Sequence, residues 1–307
     1  MRRVEILALF KKITVWKKKG QRAPHKPLLA LMALADMQLG RKRLRSYQDI
    51  EEPLRKLLQE FGPIRRSYHP EYPFWRLQND ELWEVRGDEP MLSRKGNTDP
   101  PKSELRRVLA RGGFTAEVYD TLKRNRALQD EVTRHLLDGH FPETLHQPIL
   151  DSIGLSIGST RKPRSRDPRF RTEVLRAYQN RCAVCGGSLR LGDKLLGIDA
   201  AHIRWHQADG PDAVENGLAL CTLHHRLLDA GAYTLSPNGH HVEVSEWVTE
   251  RQYGSLWLLA YHGTDVAKPI NSTNEPSCEF VDWHRKQVFK KPARECYRSQ
   301  VADRDID

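Results

Sequence analysis

Between residues 182 and 225 this chain carries a Cys-x-x-Cys pair (Cys182, Cys185), a histidine in Asp-Ala-Ala-His (His202), an asparagine (Asn216) and a Cys-x-x-His-His cluster (Cys221, His224, His225). Two closely spaced pairs of soft or borderline ligands are what a tetrahedral zinc ion requires. Two residues between the members of each pair let both side chains turn toward one ion, and Gly186-Gly187 loosens the chain beside the first pair. Cys182, Cys185, Cys221 and His224 therefore read as one structural zinc site, closed because four protein ligands fill the shell. Such an ion staples a small domain that lacks a large core. The plainer alternative is ordinary buried cysteines beside a chance histidine, a rare coincidence in a chain with five cysteines.

The 35 residues between the two pairs hold a second polar set. Ile198 to Ile203 reads as a short strand around His202. Asn216 follows 14 residues later, and His225 stands 23 after His202. Consecutive helical positions project about 100° apart, so His224 can face zinc while His225 faces a separate site. Over about residues 170–235 this order and spacing resembles the HNH nuclease family, whose core is a β-hairpin and a helix around one catalytic metal, the ββα-metal fold. The resemblance implies that His202 is the general base that takes a proton from the attacking water. It implies that Asn216 orients that base or supports its loop, and that His225 ligates a catalytic Mg2+ or Mn2+ ion. The chain departs from the family pattern at Ala201, where many members place a metal-ligating Asp. Asp199, three residues before His202, is either a ligand of that ion or a group that orients a neighbour. His206, His240 and His241 read as surface histidines.

The net charge of +10 and a pI near 9.4 favour a polyanionic partner. Residues 1–26 hold nine Lys/Arg against Glu5, and residues 161–171 hold six against Asp167. Such runs are often solvated faces or disordered arms, but a nuclease-like cluster directly after the second favours nucleic acid. An odd cysteine count fits metal ligation in a reducing compartment better than a disulfide framework. Cys278 and Cys296 stand apart, as a stray pair or as free thiols. No apolar run is long enough to span a bilayer, and Ile6 to Phe10 is too short for a signal peptide, so a cytoplasmic protein is expected.

With 307 residues, two modest domains are expected. The fold class predicted is α+β: a mainly helical N-terminal DNA-binding domain with a small β element over 1–155, a basic linker over 156–168, and a zinc-stapled ββα-metal domain with a C-terminal extension over 169–307. Residues 26–39 read as a buried helix, with Pro27 in its first turn and Gly40 as its stop. Residues 47–61 read as an amphipathic helix ended by Gly62-Pro63. Residues 73–86 alternate, with Phe74, Trp75, Leu77, Leu82, Trp83 and Val85, and suggest a hairpin turning at Asn79-Asp80. Helical patterns recur at about 103–111, 116–138, 143–150 and 170–178. Trp247, Trp257, Trp283 and Phe289 read as packing residues.

Two N-terminal stretches remain: Gly20-Gln21-Arg22-Ala23-Pro24-His25-Lys26-Pro27, and Tyr68-His69-Pro70-Glu71-Tyr72-Pro73-Phe74-Trp75-Arg76-Leu77. By composition alone the second is an aromatic corner packing a hairpin onto helices. Together with the downstream HNH pattern, the pair resembles the phosphorothioate-dependent type IV restriction endonucleases, in which a sulfur-binding domain is joined to an HNH nuclease. The resemblance implies double-stranded DNA carrying phosphorothioate linkages as the partner. It implies an apolar cup for sulfur at Tyr72 and Pro73, with Arg22, His25, Lys26 and Arg76 on phosphates or base edges, and Pro24, Phe74 and Trp75 beside them. An ordinary phosphate oxygen in such a cup loses water without gaining a donor, a penalty of about 1–3 kcal/mol. Each HNH site cuts one strand, so a homodimer is an attractive arrangement. The alternative reading is an HNH endonuclease whose first domain reads another modification or a plain sequence. A DNA-binding protein with a dead nuclease domain is the third.

Overall fold

An apolar run with helical spacing has to be covered on most sides, and the run over 26–39 is covered in that way. In the computed structural model, which describes residues 1–13, 24–89, 98–158, 168–250 and 257–295, this run is helix α2 (His25–Gln38), preceded by α1 (Arg3–Lys11). Leu28, Leu29, Leu31 and Leu34 of α2 are fully buried. Helix α3 spans Tyr47–Phe61, as its pattern predicts. Its Ser46 side chain accepts from the Asp49 N–H, and Gly62 follows its end. Helices α4 (Glu71–Arg76), α5 (Lys102–Arg107), α6 (Ala116–Lys123), α7 (Arg126–His140) and α8 (His146–Ile153) complete the helical framework, and α2 packs against α3, α4, α7 and α8. The chain divides into two compact units, the first Met1–Ser165 with the segment Trp205–Gly210, the second Arg166–Arg204 with Pro211–Asp307.

The hairpin expected over 73–86 does not form. Residues 71–80 are helical instead, α4 running into a 3-10 turn (Leu77–Asp80). Phe74 and Leu77, three apart, are both fully buried, so the helical period wins over the alternating one. Glu81, in the left-handed region at φ 60°, then turns the chain into a strand. Strands β1 (Arg45–Ser46), β2 (Trp83–Arg86) and β3 (Arg111–Phe114) form an antiparallel sheet in the order β1-β3-β2. The sequence reads 103–111 as helix, but the helix stops at Arg107 and Arg111 opens β3, whose Gly112-Gly113 looks like a breaker. The glycines are there for close approach: a Cβ on Gly113 would lie 1.9 Å from the Arg43 carbonyl oxygen, and one on Gly112 2.7 Å from the Phe74 ring. The pattern over 116–138 is two helices, because the Asn125 side chain caps α7 by accepting from the Leu128 N–H.

The second unit begins with α9 (Pro168–Ala177). Gln179 and Asn180, both left-handed, swing the chain into the first cysteine pair. A small hairpin of β4 (Leu189–Leu191) and β5 (Lys194–Leu196) follows. Then come β6 (Ile198–His202), β7 (Gly217–Cys221) and α10 (Thr222–Asp229), with β6 and β7 antiparallel and α10 packed on both. Beyond them lie the hairpin β8 (Tyr233–Leu235)–β9 (Val242–Val244) and helix α11 (Cys278–Gln287), against α10 and β8 respectively. Of the tail aromatics, Trp283 and Phe289 are buried as expected. Trp247 and Trp257 are exposed, so the packing role predicted for them is withdrawn. Cys278 is an exposed free thiol, and Cys296 lies outside the described residues. Among the described residues no helix is long and apolar enough to cross a membrane.

The glycines make a paired test. Gly113→Ala should lower stability by about 2 kcal/mol or more, since backbone has to move. Gly139→Ala in α7, where an added Cβ meets nothing within 4 Å, should raise it by about 0.5–1 kcal/mol. Thermal melts of the two variants against the parent check both signs.

Candidate active site and metal centre

Cys182, Cys185, Cys221 and His224 converge: one ligand atom from each lies within 4.8 Å of all the others. Sulfurs around a tetrahedral zinc at about 2.3 Å are separated by about 3.8 Å, so the cluster needs only a small contraction. The first pair is shaped by backbone. Gly186 N–H donates to Cys182 C=O at 2.8 Å, Cys182 N–H to Gly187 C=O at 2.9 Å, and Ala183 N–H ties the knuckle to β7 through Ala219 C=O at 2.7 Å. The second pair is shaped by a strand-to-helix junction, where Cys221 ends β7 and caps α10.

His224 is held in the tautomer a metal needs. Its Nε2 lies 2.9 Å from the Trp257 carbonyl oxygen and donates to it. Nδ1 therefore presents a lone pair at 3.1 Å from Cys221 Sγ and 3.5 Å from Cys182 Sγ. The fully buried Tyr233 hydroxyl donates to the His224 carbonyl at 3.1 Å. Hydrogen bonding between the Cys182 and Cys221 thiols, with burial, pushes Cys182 well above the usual thiol range, and the same bond pulls Cys221 well below it. Two thiolates this close both ionise only around a cation, and a divalent ion with borderline-soft preference fits the donor set.

The antiparallel register sets His202 opposite Gly217 and Ile198 opposite Cys221, so one two-stranded ribbon carries the polar group at one end and the metal ligand at the other. His202 is mostly buried. Its ring stacks on Phe170 of α9, with centroids 4.1 Å apart and planes 17° apart, and its Nε2 lies 2.7 Å from Asp212 Oδ1. An Nε2–H donated to a carboxylate leaves Nδ1 as the basic nitrogen. Asn216 is fully buried. Its Oδ1 accepts from Arg204 N–H at 2.8 Å, and its Nδ2 donates to Arg204 C=O at 3.0 Å and to Pro211 C=O at 2.9 Å. These bonds close the loop after β6 and hold Pro211, so Asp212 is delivered to His202. Of the two roles open for Asn216, this geometry is that of loop support.

His225 turns away from the thiolate cluster. Its Nε2 lies 3.3 Å from Asp229 Oδ2, one helical turn on, and the Asp229 side chain is almost wholly buried. Asp199 is placed differently from the ligand reading. Strand alternation sends it to the face of β6 opposite His202, where it is half exposed and 3.5 Å from Arg171. The carboxylate brought to His225 is Asp229. Asp212 and Asp229 are the carboxylates beside the two candidate histidines that sequence reading missed. The i, i+4 spacing of His225 and Asp229 on a helix was an available signal, whereas Asp212 sits in a loop with no period.

In the first unit the aromatic stretch is partitioned by α4. Tyr72 is exposed. The His69 ring stacks on it (4.7 Å between centroids, 13° between planes), and the Arg76 guanidinium lies 5.0 Å from its centroid. Arg76 is bonded to Asp99 through Nε at 2.9 Å and Nη2 at 2.5 Å, which raises its already high pKa further. Pro73 is buried and Trp75 half-buried. Phe74 is fully buried, edge-on to Tyr47 at 5.1 Å and to Trp83 at 6.1 Å, so it belongs to the core and not to a DNA surface. Pro24 is buried at the start of α2, and His25 is half-buried. Lys26 is not displayed for phosphate either: its Nζ pairs with the buried Asp80 at 2.5 Å. Arg22 lies outside the described residues.

A two-stranded ribbon crossed by a helix, with a Cys/His cluster able to hold a metal at one end and a carboxylate-paired histidine at the other, has the architecture of an HNH-type nuclease domain. Comparison with known families agrees: an HNH endonuclease model matches residues 182–236, and the model of the ScoMcrA-like DNA sulfur-binding domain matches residues 3–157. The chain belongs to the ScoMcrA-like DNA sulfur-binding family, with that domain fused to an HNH endonuclease. No curated protein sequence matches it significantly. Among solved structures it is similar to the sulfur-binding domain of SprMcrA complexed with phosphorothioated DNA (21% identity, 50% of this chain, 95% of that chain, TM-score 0.43). It is also similar to the sulfur-binding domain of ScoMcrA complexed with phosphorothioated DNA (22%, 48%, 94%, TM-score 0.42). The type IV phosphorothioation-dependent restriction endonuclease ScoMcrA is similar as well (21%, 51%, 32%, TM-score 0.38).

Cys182→Ser should strip the metal from this centre. Elemental analysis should find about one equivalent of tightly held zinc in the parent and none in the variant, with the second unit unfolding first on heating. A variant that is equally stable without metal contradicts the assignment.

Proposed function

We propose that this protein is a type IV restriction endonuclease that binds DNA carrying phosphorothioate linkages and hydrolyses phosphodiester bonds near them. The observation that carries this reading is a DNA sulfur-binding domain and an HNH domain in one chain, the latter with a carboxylate-oriented histidine at the end of its ribbon.

In this reading His202 is the general base. Its Nδ1 accepts a proton from water as the water oxygen attacks phosphorus and the bond to the 3′-oxygen breaks. Asp212, 2.7 Å from Nε2, holds the ring and stabilises the imidazolium that forms. Phe170 fixes the ring plane from one side. Asn216 acts at one remove, by holding the loop that delivers Asp212. His225 and Asp229 would hold the catalytic divalent ion, Mg2+ or Mn2+. When bound, such an ion neutralises charge developing on the phosphate and the leaving oxygen. Cys182, Cys185, Cys221 and His224 would hold a structural Zn2+ ion that takes no part in the chemistry. Asp199, beside Arg171, is left as a surface ion pair.

In the first unit, Tyr72 supplies the apolar contact for sulfur, backed by Pro73, with Arg76 beside it and His25 on a neighbouring phosphate or base edge. A second copy of the chain would bring a second HNH site to the other strand. The cytoplasm, where incoming DNA arrives, is where such an enzyme would work.

His202→Ala should reduce cleavage of phosphorothioated plasmid in Mg2+ or Mn2+ by about 10²- to 10⁴-fold while leaving binding of the same DNA intact. Asp229→Asn should lose cleavage in the same assay and require more divalent ion for what remains. Full activity in His202→Ala would remove it as the base.

A further inference from the structure

Tyr72 is held between two side chains that are themselves tied down. His69, Tyr72 and Arg76 stand at i, i+3 and i+7, and the turn is already helical at its start, since Tyr72 N–H bonds to His69 C=O at 3.2 Å. This spacing puts one partner over the N-terminal side of the phenol ring and the other over its C-terminal side. His69 is fixed by Glu71 Oε1 at 2.8 Å from Nδ1 and by Ser67 Oγ at 2.7 Å from Nε2. Arg76 is fixed by Asp99, whose side chain is mostly buried. Neither Glu71 nor Asp99 reaches the surface to any extent, so both act through the residue they hold.

Resting on the reading of Tyr72 as the sulfur contact, we infer that His69 and Asp99 are positioning residues that set the preference for sulfur over oxygen. Two consequences follow from the clamp. With the His69 ring stacked on it and the Arg76 guanidinium 5.0 Å from its centroid, Tyr72 has the edge of its ring to offer DNA, and that edge carries partial positive charge and suits a polarisable, negatively charged sulfur. Meanwhile Asp99 occupies the Nε and Nη2 donors of Arg76. A guanidinium free to turn would bond any phosphate oxygen bidentately and reward unmodified DNA. Held against Asp99, Arg76 has its Nε–H and one Nη2–H committed, so an oxygen at this spot cannot gain the bidentate Nε/Nη2 fork, and the discrimination works by withholding that paired hydrogen bond.

The test is a binding titration of the full chain on two duplexes identical except for one phosphorothioate linkage. Asp99→Asn should tighten binding of the unmodified duplex and cut the sulfur preference by about three- to tenfold. His69→Ala should cut the preference by a similar factor through weaker binding of the modified duplex, and His69→Phe, which restores a ring on that face, should recover it. A simple loss of fold would weaken both duplexes together and would not be rescued by Phe. Parental selectivity in Asp99→Asn and His69→Ala overturns the clamp while leaving the sulfur reading intact. A parent that binds both duplexes equally removes the sulfur reading itself, and the clamp with it.

Discussion

Cys221 is where the second unit is joined. It is the last residue of β7, the cap of α10 and one of four converging side chains able to ligate a metal. A metal bound there would couple the ribbon to the helix, and through Cys182 and Cys185 would tie both to the preceding knuckle. The unit's strands are only three to five residues long, and its buried core runs from Phe170 and Val174 of α9 through Ile198, Leu218 and Leu220 of the ribbon to Tyr233 and Val281. An ion held at this junction would therefore add to packing rather than replace it. The rest of the unit braces the same helix. The buried His284 of α11 bonds the Leu228 carbonyl of α10 through Nε2 at 3.1 Å and Thr234 of β8 through Nδ1 at 2.9 Å. Gly231, at φ 76°, lets the tail at Val288 lie against the helix end, where a Cβ would meet its carbonyl oxygen at 2.1 Å.

The two histidines next to each other on α10 show how one short helix serves two purposes. His224 points into the thiolates, with its second nitrogen held by the Trp257 carbonyl, while His225 points to Asp229. His202, the proposed base, lies on another element and is held separately, by a loop carboxylate and a stacked phenylalanine. The thiolate cluster and the His225–Asp229 pair therefore share a helix without sharing side chains.

Where a residue's role depends on local spacing, the sequence shows it. The Cys/His quartet, the strand ending at His202, helix α3 with its Ser46 cap and the Leu-rich α2 all follow from period, caps and ligand spacing. Where the role depends on distant contact, the sequence is silent or misleading. The alternation over 73–86 suggests a hairpin until the core that buries both Phe74 and Leu77 behind α4 is seen. Gly112-Gly113 looks like a break because the atoms that require it, the Arg43 carbonyl and the Phe74 ring, come from other parts of the chain. Lys26 looks like a phosphate ligand until Asp80, 54 residues on, neutralises it. Asp212 is invisible because a loop held by Asn216 has no repeat to betray it.

The central claim is that sulfur in the DNA decides where this nuclease acts. Mapping cuts on a long linear duplex with a single phosphorothioate linkage, with the full chain and Mg2+ or Mn2+, addresses it directly. Breaks grouped around the modified linkage, and absent from the same duplex without sulfur, are the result expected. Breaks distributed identically on both duplexes would contradict the account.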